Sequence, residues 1–117
     1  MNLIDKLKKE NIEAFEKWFE RWYAKENIEK YIIQANQQGY TAIKIKIYKN
    51  PDYGQEVDNY AQLRLRNPLT TNKIAEKLGG GFYVNHVRDE NKLTPIIKGI
   101  ERWSIDEYIL IKWEDNQ

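Results

Sequence analysis

The pentapeptide Lys-Glu-Asn-Ile-Glu occurs twice, at residues 9–13 and 25–29, in a stretch that contains no glycine or proline before Gly39. Rich in Glu, Lys, Leu and Ala, that stretch is predicted to be helical. Each residue turns about 100° around a helix axis, so sixteen steps separate Ile12 from Ile28 by roughly 160°. The wider pattern carries a similar offset. Ile4, Leu7, Phe15, Trp18, Phe19 and Trp22 fall on one stripe, and Ala24, Ile28, Tyr31, Ile32 and Ala35 on another about 140° away. One straight helix cannot lay both stripes on one core. The helical segment, residues 1–38, is therefore expected to bend near residues 25–27, or to project its first half toward something else.

Beyond Gly39 the period changes to two. In "TAIKIKIY", Ile43, Ile45 and Ile47 alternate with Lys44, Lys46 and Tyr48, the mark of a half-buried strand. "NPDYG" at 50–54 reads as a turn. "YAQLRLR" alternates again, Ala61, Leu63 and Leu65 against Gln62, Arg64 and Arg66, and reads as a second strand, with a short helix from Val57 through Tyr60 as its competitor. "NPLTTNKIAEKLGGG" reads as a short helix near 70–79, capped by Thr70 or Thr71, with Ile74, Ala75 and Leu78 inward and Gly79 or Gly80 ending it in the left-handed conformation. "FYVNHVR" is a strand by its aromatic and β-branched residues, "DENKLTP" a loop, "IIKGIERW" ambiguous and "YILIKW" the closing strand. The expected fold is α+β: a long N-terminal helix and one short helix against a mostly antiparallel sheet of four to five strands.

At 117 residues the chain has the size of a single domain, 1–117, with a β-rich part over 40–117. No apolar run approaches the roughly 20 residues that span a bilayer, and the first ten residues do not resemble a secretory signal, so no membrane partner and a cytoplasmic location in a bacterial host cell are expected. Cysteine is absent, which removes disulfides and thiolate metal sites. A net charge of +1 argues against a general nucleic-acid binder, whose domain is usually strongly basic.

The charged N-terminal helix, "QGYTAIKIKI", the short helix running into "KLGGGFYVNHV", and the final "YILIKW" together resemble in layout small accessory proteins encoded by phages and mobile elements of Gram-positive bacteria. The resemblance contains no catalytic motif. It implies a protein that binds a larger host machine, defence systems included, and disables or redirects it, as an anti-CRISPR inhibitor does.

The residues themselves point the same way. One histidine, His86, and one serine, Ser104, with no cysteine, give no nucleophile and base at recognisable spacing; neither enzymatic activity nor a cofactor is expected. The acid pairs Asp89/Glu90, Asp106/Glu107 and Glu114/Asp115 read as solvated turn or terminal residues, and no metal site is expected. "KLGGG" follows its helix, whereas a phosphate-binding loop precedes one. "TTNKIAEKLGG" fits the first helix of a helix-turn-helix, but the glycines and β-formers behind it oppose a recognition helix. The candidate partner-binding set is Phe15, Trp18, Phe19, Trp22 and Tyr23, large rings within two turns that would meet a protein partner or a second copy in a homodimer, unless they are core. The alternative is an RNA or single-stranded DNA site of Lys44, Lys46, Tyr48, Tyr60, Arg64 and Arg66, basic and aromatic residues on one sheet face.

Overall fold

The computed structural model describes residues 2–49, 59–93, 98–99 and 102–113. Asn2 opens the first helix, its Oδ1 accepting the N–H of Asp5 at 3.0 Å, one of the donors that a helix start leaves over. Helix α1 runs Leu3–Glu26 and stops at Asn27, whose φ of 51° and ψ of 52° lie in the left-handed region. Asparagine is among the few residues besides glycine that visit this region routinely. The Asn27 N–H reaches the Tyr23 carbonyl at 3.3 Å, and helix α2, Ile28–Gln37, begins at once. The expected bend is a one-residue break. It gives the two pentapeptides opposite fates: Ile28 is 2% exposed and Ile12 53%. Ile32 is also buried, whereas Ala24 and Tyr31 of the same predicted stripe face solvent. Across the break the Tyr23 hydroxyl donates to Glu29 Oε1 at 3.4 Å. Burial, then the Glu29 carboxylate, raise its pKa.

Gly39, at φ +92°, turns the chain out of α2, and strand β1 follows as Ala42–Lys49. The next described element corrects the sequence reading. "YAQLRLR" is not a strand but helix α3, Asn59–Arg66, because Ala61 and Leu65 are also one helical turn apart and Ala, Gln, Leu and Arg are good helix formers with no β-branched residue among them. Leu65 is buried, and Leu63, which alternation would place beside it, is exposed. Helix α4 is Pro68–Leu78. Its cap is Asn67, not Thr70 or Thr71: Asn67 Oδ1 accepts the Leu69 N–H at 3.0 Å, and Pro68 occupies the first turn, where no N–H is needed. Buried Thr70 instead donates its hydroxyl to the Arg64 carbonyl at 2.6 Å, tying α3 to α4. Gly79 ends α4 at φ +82° and ψ −165°, a positive-φ geometry outside the left-handed helical basin.

Strands β2, Phe82–Leu93, and β3, Arg102–Trp113, pair antiparallel along their full length, from Phe82 opposite Trp113 to Leu93 opposite Arg102. The predicted loop "DENKLTP" is therefore strand over residues 89–93, and the acids at 89–90 and 106–107 sit in the ladder rather than in turns. The predicted turn at 50–54, Val57, Thr94, Pro95 and the acids at 114–115 lie outside the described residues. Among the described residues the sheet has three strands, ordered β1-β3-β2, not four to five, and there are four helices.

Side-chain alternation divides the sheet. Ile43, Ile45, Val84, Ile109, Ile111 and Trp113 face the helices and join Phe15, Trp18, Phe19, Ile28, Ile32 and Ile74 in one core. Lys44, Lys46, Tyr83, Tyr108 and Lys112 lie on the other face. A register shift between Lys46 and Tyr48 interrupts β1. It turns Tyr48, opposite Glu107, to the helix side with Ile43 and Ile45, where strict alternation would have placed it with the lysines.

Two stability outcomes follow from this packing. Phe19→Ala should cost roughly 3–5 kcal/mol in urea unfolding, the range for a buried ring, while Ile12→Ala should change it by no more than about 0.5 kcal/mol. Asn27→Gly should be tolerated, and Asn27→Val should cost about 1–2 kcal/mol because a side chain branched at Cβ resists the left-handed region.

Candidate functional site

The aromatic residues of α1 form a continuous stack. Trp18 lies 5.9 Å from Phe15 and 5.6 Å from Trp22, centroid to centroid, and Phe19 lies 5.6 Å from Tyr23. Phe15, Trp18 and Phe19 are 2%, 9% and 0% exposed, and Trp22 and Tyr23 are half-buried against the same core. For Phe15, Trp18 and Phe19 the expectation of a docking ridge is corrected, because they are enclosed with α2 and the sheet in one core; Trp22 and Tyr23 keep part of their surface open. Helix α4 closes one flank, with Lys77 Nζ 3.1 Å from Glu20 and Lys73 Nζ 4.0 Å from Glu16.

The free surface of α1 lies ahead of the rings. Every residue from Asn2 to Ala14 is exposed, so residues 3–14, about 18 Å long at 1.5 Å per residue, place no buried side chain in the core. Leu3, Ile4, Leu7 and Ile12 are all more than half exposed, and Ile4 and Leu7 continue the buried stripe of Phe15 and Trp18. A helix of twelve residues is marginal alone; this one propagates from its packed half, helped by the Asn2 cap and a Lys6–Glu10 pair at 4.0 Å. Asn11, on the Ile4/Leu7 side, lines a groove of about 430 Å³ together with Tyr60 and Leu63 of α3, both of which are exposed. Arg64, Arg66 and Asn67 line the same groove, so the overhang adjoins a face that is part apolar and part basic.

The nucleic-acid set is not brought together. Lys44 and Lys46 lie on the sheet face opposite the helices, where Lys44 Nζ sits 4.5 Å from the ring centre of buried Tyr108. Tyr48 is turned to the other face. Tyr60, Arg64 and Arg66 belong to α3: the Arg64 guanidinium lies 5.4 Å from the Tyr60 ring and 6.0 Å from that of Phe15, and Arg66 is committed to a carboxylate. Because α3 is a helix and β1 shifts register, the six residues do not form one surface, although Tyr60, Arg64 and Arg66 line one groove.

That carboxylate, Glu107, has a role that the sequence reading missed. Its side chain is 1% exposed. Arg66 donates to Oε1 from Nε and from a terminal nitrogen, each at 2.7 Å, and Arg88 approaches at 3.6 Å. His86 Nε2 lies 2.6 Å from Oε2; an ionised carboxylate only accepts, so Nε2 carries the hydrogen. Burial alone would raise the carboxyl pKa, but the hydrogen bonds from Arg66 and His86 outweigh it and hold the group below the ordinary carboxylate value. The signal was available in the alternation, since Glu107 stands two residues from Ile109 and four from Ile111 on the inward face. Among the described residues no group of three His, Cys, Asp or Glu side chains could hold a metal ion, and no helix is long and apolar enough to cross a membrane.

Compared with protein-family models, curated proteins and solved structures, the chain matches none.

The stability that Glu107 contributes is fully present above the ordinary glutamate value of about 4.3 and is lost as pH falls through its lowered folded value. Glu107→Gln should therefore flatten the acid limb of a stability-versus-pH curve measured by urea unfolding. Arg66→Met should destabilise more than Glu107→Gln near neutral pH, because it leaves a buried charge short of its main partner.

Proposed function

We propose that this protein is a non-enzymatic protein-binding module that engages its partner with the first three turns of α1 and the adjoining face of α3. The supporting observation is the overhang. Leu3, Ile4 and Leu7 lie on the part of α1 ahead of its core residues and are more than half exposed, and Asn11 of the same part lines a groove with Tyr60 and Leu63. Contiguous exposed apolar surface of this kind marks interaction sites more often than it occurs by chance on a monomer, and an amphipathic helix is a common docking element. In this reading the chain acts as the small phage accessory and anti-defence proteins that it resembles in layout are expected to act, by occupying the surface of a larger host protein. A second copy of the chain is the competing occupant.

The double variant Ile4→Glu/Leu7→Glu tests the reading, because both residues are more than half exposed and neither belongs to the core. Its unfolding free energy should stay within about 0.5 kcal/mol of the parent. The parent should retain a specific protein from a lysate of a Gram-positive host, or sediment as a dimer, and the variant should do neither. A parent that stays monomeric, and captures nothing that the variant does not, removes the proposal.

A further inference from the structure

Strand β1 is an edge strand, and among the described residues only β3 pairs with it. The phase of that pairing is set where the Trp113 N–H reaches the Thr41 carbonyl at 3.0 Å. Backbone groups alternate in direction along an antiparallel strand, so those of Ile43 and Ile45 aim at β3, and those of Ala42, Lys44 and Lys46 aim at the outer edge. A groove of about 620 Å³ touches five consecutive residues, Ile43 through Ile47. Neighbouring strand residues point to opposite faces, so a groove that meets all five must run along the edge. Its helix-side wall includes the apolar residues Trp22, Ile28, Tyr31 and Leu65, with Lys25 and Glu26 beside them.

We propose that this edge is a second binding surface, which accepts an extended acidic peptide as a fourth strand. A strand laid beside β1 would have its own alternation. Side chains on the helix side would enter the wall of Trp22, Ile28 and Leu65, and those on the other side would lie beside Lys44 and Lys46. Opposite charges facing each other across strands are favourable and like charges unfavourable, so the fitting sequence alternates apolar with acidic residues. The same rule disfavours a second copy here, because pairing two β1 edges would bring Lys44 and Lys46 close to their own counterparts. Lysines on an edge guard against such self-pairing, but guarding does not require an apolar groove beneath them. Recognition by strand addition draws affinity from backbone hydrogen bonds and specificity from alternate side chains, and this edge offers both.

The surface is separate from the α1 overhang, so the two readings succeed or fail independently. A blocked hexapeptide of alternating valine and glutamate is titrated into the full chain and followed by amide NMR, with a valine and lysine hexapeptide as control. The acidic peptide should bind saturably and protect the Lys44 and Lys46 amides from exchange, also in the Ile4→Glu/Leu7→Glu background. The variant Lys44→Glu/Lys46→Glu, shown by an unchanged thermal transition to be folded, should bind the acidic peptide at least about tenfold more weakly and should prefer the lysine peptide. No saturable binding of the acidic peptide to the parent chain overturns the proposal. So does equal binding of the two peptides, or binding that leaves the Lys44 and Lys46 amides unprotected.

Discussion

A single left-handed residue decides how this molecule can have one core. The two apolar stripes of the N-terminal segment are out of phase on any continuous helix, and the break at Asn27 changes the direction of the second stripe so that Ile28 and Ile32 face the same interior as Phe15 and Phe19. Everything the sheet packs against depends on that change. Without it, either the aromatic stack or the α2 isoleucines would be left in water, and burying a large apolar side chain is worth about 1.5–3 kcal/mol. Because the stripe of α1 is longer than the core that α2, α4 and the sheet can cover, its first three turns are left over. The same constraint that closes the core leaves the overhang uncovered.

The sheet is built with two unlike faces, and polar chemistry is found on both. On the helix side an ionised group stands in line with isoleucines, and it is kept there by the two-point contact from Arg66 and the short bond to His86. Arg66 lies at the end of α3, His86 on β2 and Glu107 on β3, so this one carboxylate ties a helix to both strands of the long hairpin. On the other face Tyr108 is covered by the Lys44 ammonium and donates to Asp89 Oδ2 at 3.3 Å. These contacts fix where the strands sit.

Much of the architecture was legible in the residues. The α+β class, the bend, β1, the start of β2, the end of β3 and the inward face of α4 all follow from period and from glycine placement. What escaped has identifiable causes. Ala61, Leu63 and Leu65 fit a period of two, and Ala61 with Leu65 fits a helical turn equally well, so pattern alone could not choose between strand and helix. The polar run Asp89–Leu93 looks like a loop until the facing strand is known, because its cross-strand partners, not its own propensity, hold it extended. Tyr48 was misplaced by one register shift, which no alternation can reveal. The aromatic set is expected to bind a partner, although large rings on one helix face are more often core. Only the packing of α2 and the sheet could show that Phe15, Trp18 and Phe19 are enclosed and that Ile4 and Leu7 are not.

The repeated pentapeptide has a consequence for how this chain acquires its shape. Cut out as short peptides, the two copies would be chemically indistinguishable, yet Asn11 sits in the middle of a helix and Asn27 interrupts one. The difference comes from what flanks each copy and from what each copy packs against. Only when a sheet exists for Ile28 to enter does the second asparagine have a reason to leave the helical basin. Local backbone conformation is here a product of assembly, not its starting material.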